Sequence, residues 1–175
     1  WSPNPDAFLA DLEVKPAALQ ALARSLRKND PWSSTDTSAV SRVVFLGMGS
    51  SRYAAIVCAS RLRSRRIDAV AEYASATAVH PGGPGTLAVG ISASGGSHET
   101  IAALERHRHA GSRTVAVTNA PGSRSAESAD SLVEMEAGEE RGGVACRTFQ
   151  HTVALLLALE ARLLHAGAGG VDSCD

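Results

Sequence analysis

The sequence is poor in the residues that staple, ligate or anchor a chain. Its three cysteines, Cys58, Cys146 and Cys174, are odd in number and far apart, with no C-x-x-C pair. That pattern speaks against a disulfide framework and a structural zinc site, and for a reducing, cytoplasmic setting. No apolar stretch reaches the roughly 18 residues a membrane span needs. The most apolar one, "TVALLLALEARLL", is broken by Glu160 and Arg162. No secretory signal is visible. Neither sign of charge dominates: 17 Lys+Arg against 18 Asp+Glu leave a formal net charge of −1. Nothing global therefore draws the chain to nucleic acid or to an anionic membrane. The one basic run, "RLRSRR" from Arg61 to Arg66, reads as a solvated helix end. No metal and no cofactor is expected.

What is present fits one globular domain. The 175 residues, 44% of them hydrophobic, suffice to bury a proper core. The sequence opens at Trp1 and closes on the linker-like "HAGAGGVDSCD". These ends read either as trimmed or disordered termini or as joints in something longer. Residues 1–40 form an N-terminal helical segment and linker. Phe8, Leu9 and Leu12 share one helical face, while Leu19, Leu22, Ala23 and Leu26 share another, with the split near Pro16. "DPWSSTDTSAVS" has the composition of a linker.

From residue 41 to 166 strands and helices alternate. "RVVFLG" is a continuous apolar run, as a strand covered on both faces requires. A helix over "SSRYAAIVCASRLRSR" leads to a second strand, "IDAVAEY"; "TLAVGIS" is a third, and "HETIAALERHRHAG" a helix ending at Gly111. "RTVAVTN" and "SLVEME" supply strands four and five. "VACRTFQHTVALLLALEARLL" is a long helix with Phe149, Val153, Leu156 and Leu157 toward the core. The expectation is an α/β three-layer sandwich around a five-stranded parallel sheet with right-handed crossovers, flavodoxin-like, preceded by N-terminal helices. Residues 167–175 are expected to be a flexible tail.

Two strand ends carry the same chemistry. "LGMGSSRY" follows the first strand and "ISASGGSHET" the third. Each offers glycines, which let backbone N–H groups approach a ligand, then serines, then the start of a helix whose first N–H groups favour an anion. The lysine of the Walker loop is missing, which disfavours triphosphate hydrolysis. Ser50 and Ser97 read equally as helix N-caps or as phosphate ligands; two such loops side by side favour a site. Gly47 and Gly49 also match two glycines of a dinucleotide fingerprint, with Glu72 placed for a ribose, but Arg52 stands at the third.

In order along the chain, "GMGSSRYAA", "ISASGGSHETIAAL", "VTNAPGSRSAESAD" and "AGEERGGVACRTF" resemble the motifs of sugar isomerase (SIS) domains. The similarity runs from Val43 to about Leu164. It is greatest to the first of the two SIS halves in the isomerase module of glucosamine-6-phosphate synthase. The resemblance implies a phosphosugar site. The phosphate would lie on Ser92, Ser94, Ser97 and the N–H groups around Gly95 and Gly96. Gly49, Ser50 and Ser51 would form the turn that reaches the sugar.

The departures are specific. Ala93 and Gly96 replace the family's usual Gln or His and its Glu. Aligned on Phe149 without gaps, Ala145 stands where the family serine meets sugar and Arg147 at its lysine; Gly143 and Val144 are approximate site positions. The family's catalytic glutamate, histidine and lysine come largely from its second half and the partner subunit, so no catalytic residue is assigned here. Glu139 and Glu140 read as a solvated pair, His98 as exposed, and His107 and His109 as facing different sides of one helix. His151 faces either the core or an interface. The expected ligand is a hexose 6-phosphate, in a sugar-phosphate isomerase or aminotransferase. The expected partner is a second copy or a second SIS half. A non-catalytic sugar-phosphate sensor, a dinucleotide-binding domain, and a lyase or etherase are the other readings.

Overall fold

The structure, a computed structural model, describes residues 4–168. Helices α1 (Pro5–Glu13) and α2 (Lys15–Lys28) come first. They are followed by β1 (Arg42–Gly47), α3 (Gly49–Ser64), β2 (Asp68–Tyr73), β3 (Thr86–Ile91), α4 (His98–His109) and β4 (Arg113–Thr118). The short α5 (Arg124–Glu127), β5 (Ser131–Glu134) and the long α6 (Arg147–Ala168) complete the fold. The five strands form one parallel sheet in the order β2-β1-β3-β4-β5. This is the flavodoxin-like order, in which the chain leaves β1 for one edge and β3 for the other.

The apolar runs explain the middle of the sheet. Val43 to Leu46 and Leu87 to Val89 are all fully buried, because helices cover both faces. One face carries α3 and α6, with α2 against α6; Phe45, Leu62, Leu87, Leu155, Leu156 and Leu159 fill that layer. The other carries α4, whose Ala103 packs with Val44, Leu46 and Ala88.

Three sequence expectations shift. α6 starts at Arg147, not at Val144, for a reason given below. Its buried face is Leu155, Leu156, Leu159 and Leu163, whereas Phe149 and Leu157 are exposed and Val153 is half-buried. The run "VALLLAL" contains no polar residue to set the helical phase. In the segment with linker composition, Trp32 is fully buried and its indole N–H donates to the Leu155 carbonyl at 2.9 Å. Thr35 and Thr37 are buried beside it in sequence. The tail expected to be flexible, 167–175, lies outside the described residues apart from its first two, which close α6.

Candidate functional site

Where strand order reverses, between β1 and β3, two neighbouring strands send their helices to opposite faces and a crevice opens at their carboxyl ends. Gly47 and Ile91, the last residues of the two strands, are register partners, so their loops leave the sheet side by side. A side chain at Gly47 would crowd Ser51 at 3.1 Å and the Ile91 carbonyl at 3.4 Å, which keeps this exit narrow.

The first loop is brief. Met48 is the extended N-cap residue of α3 and Gly49 takes φ +50°, so the helix begins immediately after the strand. No side chain caps α3. Ser50 is the second helical residue, half-buried, and does not serve as the cap. With Ser51, also half-buried, it puts hydroxyls at a helix start that favours negative charge.

The second loop is a tight turn. Ser92 is buried, and its carbonyl accepts from Gly95 N–H at 3.0 Å. Gly95 has φ +64°. Ser94 is exposed, and its hydroxyl accepts from Gly96 N–H at 3.3 Å. Ser97 is the N-cap of α4: its Oγ accepts from Thr100 N–H at 3.3 Å and donates to Glu99 at 2.9 Å. The Ser97 hydroxyl is therefore engaged as a cap, while Ser92 and Ser94 line the turn ahead of it.

Asn119, just past β4, joins this turn to the next loop, a role the sequence reading missed. Its N–H donates to the Ala93 carbonyl at 3.1 Å. Its side chain donates to the Gly138 carbonyl at 2.7 Å and accepts from Ala137 N–H at 2.8 Å. Ser125 N–H holds the Gly95 carbonyl at 3.1 Å from the same side.

The fourth motif is a capped turn. Glu140 is half-buried rather than solvated: Oε1 accepts from the N–H groups of Cys146 (2.7 Å) and Arg147 (2.6 Å), and Oε2 from the Thr148 hydroxyl (2.5 Å). This carboxylate caps α6 and fixes its start at Arg147. Burial pushes the Glu140 carboxyl up, but the Thr148 hydroxyl and the two N–H groups outweigh it and hold it below the ordinary glutamate value. Glu139 is exposed and paired with Arg141 at 2.7 Å. Gly143, Val144 and Ala145 are exposed at the tip of the turn. Arg147, at the family's lysine position, is buried instead against Asp11 and the Glu139 carbonyl.

The remaining polar residues resolve simply. His151 is fully buried in the core, its Nδ1 2.8 Å from the Met135 carbonyl oxygen. His98 is exposed; His107 is buried and His109 exposed, on different sides of α4. Arg52, at the position of the fingerprint's third glycine, stacks on the Tyr73 ring at 4.0 Å. Glu72 accepts from His80 N–H at 2.9 Å and so holds the segment after β2. Both observations weigh against a dinucleotide site. Among the described residues no cluster of His, Cys, Asp and Glu could hold a metal, and no helix is long and apolar enough to cross a membrane.

Known proteins share this fold. The glutamine–fructose-6-phosphate aminotransferase of Pyrobaculum aerophilum is 30% identical over 165 residues, 93% of this chain and 27% of that protein. The C-terminal domain of the glucosamine-fructose-6-phosphate aminotransferase of Francisella tularensis superposes with a TM-score of 0.79 at 19% identity, over 94% of this chain and 51% of that one. The Vibrio vulnificus NanR protein complexed with ManNAc-6P gives 0.71 at 19% identity, over 91% of this chain and 62% of that one. The chain spans about a quarter of the length of the aminotransferase relatives, 21–27%. Residues 38–162 match the SIS domain family, and with the sheet order and the four ordered motifs in agreement, the chain belongs to that family.

Proposed function

We propose that the chain binds a hexose 6-phosphate in the crevice between β1 and β3, as the phosphosugar-binding part of a sugar-phosphate isomerase or aminotransferase. The observation that carries this reading is the adjacency of two anion-favouring corners: the turn Ser92–Ser97 and the α3 start at Gly49–Ser51, on register-paired strands. In this reading the phosphate takes the hydroxyls of Ser92 and Ser94 and the N–H groups around Gly95 and Gly96. Ser97 holds the first turn of α4 toward the same charge. Ser50 and Ser51 meet the sugar from one side, Gly143 and Val144 from the other. A cytoplasmic location and a role in amino-sugar metabolism belong to the same reading, as does completion of the site by a second copy or a second SIS half.

Calorimetry with fructose 6-phosphate and glucosamine 6-phosphate tests it. Each hydrogen bond to a charged phosphate contributes about 1.5–3 kcal/mol, so Ser92→Ala and Ser94→Ala should each weaken binding by about ten- to a hundredfold. No binding at millimolar ligand, or binding untouched by both substitutions, overturns the proposal.

A second reading, a sugar-phosphate sensor without turnover, is favoured by the state of the acid–base groups. Glu140 is occupied as a helix cap and His151 is buried on a carbonyl. Neither is placed to move a proton on a ligand, and general acid–base groups each contribute about 10²–10⁴-fold to rate. Binding without a positioned base lowers no transition state selectively. The chain alone should therefore leave the C1 protons of fructose 6-phosphate unexchanged in deuterated water. Rapid exchange seen by NMR would show that a base is present.

A further inference from the structure

We propose that Asp11 is a positioning residue for the sugar-facing turn, which makes α1 part of the binding site although it touches no ligand. The proposal rests on the phosphosugar reading above. Asp11 is buried, and its carboxylate gathers three donors from one distant turn. Oδ2 accepts from the N–H groups of Arg141 at 2.8 Å and Gly142 at 2.7 Å, and Oδ1 from the Arg147 guanidinium at 2.9 Å. Both side chains of the ion pair are nearly enclosed, 10% and 8% exposed. Phe8, three residues earlier on α1, lies directly against Gly142, where a Cβ would overlap its backbone.

The turn from Glu139 to Arg147 is thus tied at both ends. Asp11 holds Arg141 and Gly142; Glu140 holds Cys146 and Arg147. Between the ties stand Gly143, Val144 and Ala145, exposed and without regular structure. A free segment of this length would have to be ordered on every binding event, and prior fixation removes that cost. The phosphate turn has its own supports, Asn119 and Ser125, and none of them comes from α1. Loss of Asp11 should therefore weaken sugar recognition while sparing phosphate recognition.

The experiment titrates the full chain with fructose 6-phosphate and, in parallel, with inorganic phosphate, and follows amide hydrogen exchange across Arg141–Cys146. Asp11→Asn is expected to lower fructose 6-phosphate affinity about tenfold and leave inorganic phosphate unchanged. Exchange in the turn should rise about tenfold or more, with that of Ser92–Ser97 unaltered. Gly142→Ala, which displaces Phe8 while retaining Asp11, should act in the same direction and serves if Asp11→Asn does not fold. Glu160→Gln is the stability control. It breaks the pair that this buried carboxylate, further along α6, makes with Arg61 of α3, and should lower the melting temperature without moving either affinity. Equal loss for both ligands, unchanged fructose 6-phosphate binding, or unchanged exchange in the turn overturns the proposal. If the wild-type chain binds no hexose phosphate, the phosphosugar reading fails, and the exchange measurement still decides whether Asp11 fixes the turn.

Discussion

At Gly95 the backbone takes φ +64°, a region that costs an ordinary residue about 1–2 kcal/mol. The space a side chain would need is already filled by the hydroxymethyl group of Ser123. Both effects act on the phosphate turn, so Gly95→Ala should reduce hexose phosphate affinity at least tenfold, by about the cost of that strain. Adding Ser123→Gly removes the steric conflict and leaves the backbone strain, so the double variant should recover only part of the loss. Calorimetry of the three proteins checks this, and a Gly95→Ala protein binding like wild type would refute it. The serines of this turn were legible in the sequence because strand, glycine, hydroxyl and helix start follow one another locally. Asn119 was not, since its partners, Ala93 and Gly138, lie on other loops. Its only sign was an asparagine placed directly after the strand run "RTVAVT".

The start of α6 depends on one carboxylate. Glu140 has a folded pKa below its ordinary value, so its contribution to stability is fully present above that ordinary value, near 4.3, and is lost as pH falls through the lowered one. Glu140→Gln keeps the shape and removes the charge. It should lower the melting temperature at pH 7 by a few degrees, the size of a typical cap loss of about 1 kcal/mol. The difference from wild type should shrink as the pH is brought below 4. A gap that stays constant from pH 7 to 3 would mean that the charge is not what caps the helix. This also explains what the sequence concealed about α6. Helical periodicity continues upstream through "VAC", and only a side chain six and seven residues from the amides it binds stops the helix there. The central strands β1 and β3 were plain because each is a mostly apolar run between turn residues, whereas the edge strands β2 and β5 carry Asp68, Glu72 and Glu134 and were legible only from their place in the alternation of strands and helices. The docking of Trp32 was hidden, because its partner is an α6 carbonyl 123 positions away and its neighbours are serines and threonines.

The molecule as a whole keeps apolar groups on its outside. α3 exposes Tyr53 (63%), Ile56 (37%) and Val57 (49%), and α6, packed beside it, exposes Phe149 (37%) and Leu157 (39%). We expect these helices to be where the domain associates with another chain. Light scattering should show concentration-dependent association, reduced by Val57→Glu and by Leu157→Glu. A clean monomer at high concentration would count against it. The same molecule ties its first helical segment to α6: Trp32 meets Leu155 across 123 positions, and Asp11 meets Arg147 across 136. On the ribosome this imposes a timetable. At roughly 5–20 residues per second, α1 and α2 wait on the order of ten seconds for α6 to be made. During that interval the Trp32 indole and the Asp11 carboxylate have no native partner, so this part of the nascent chain is open to chaperones and proteases until α6 leaves the exit tunnel.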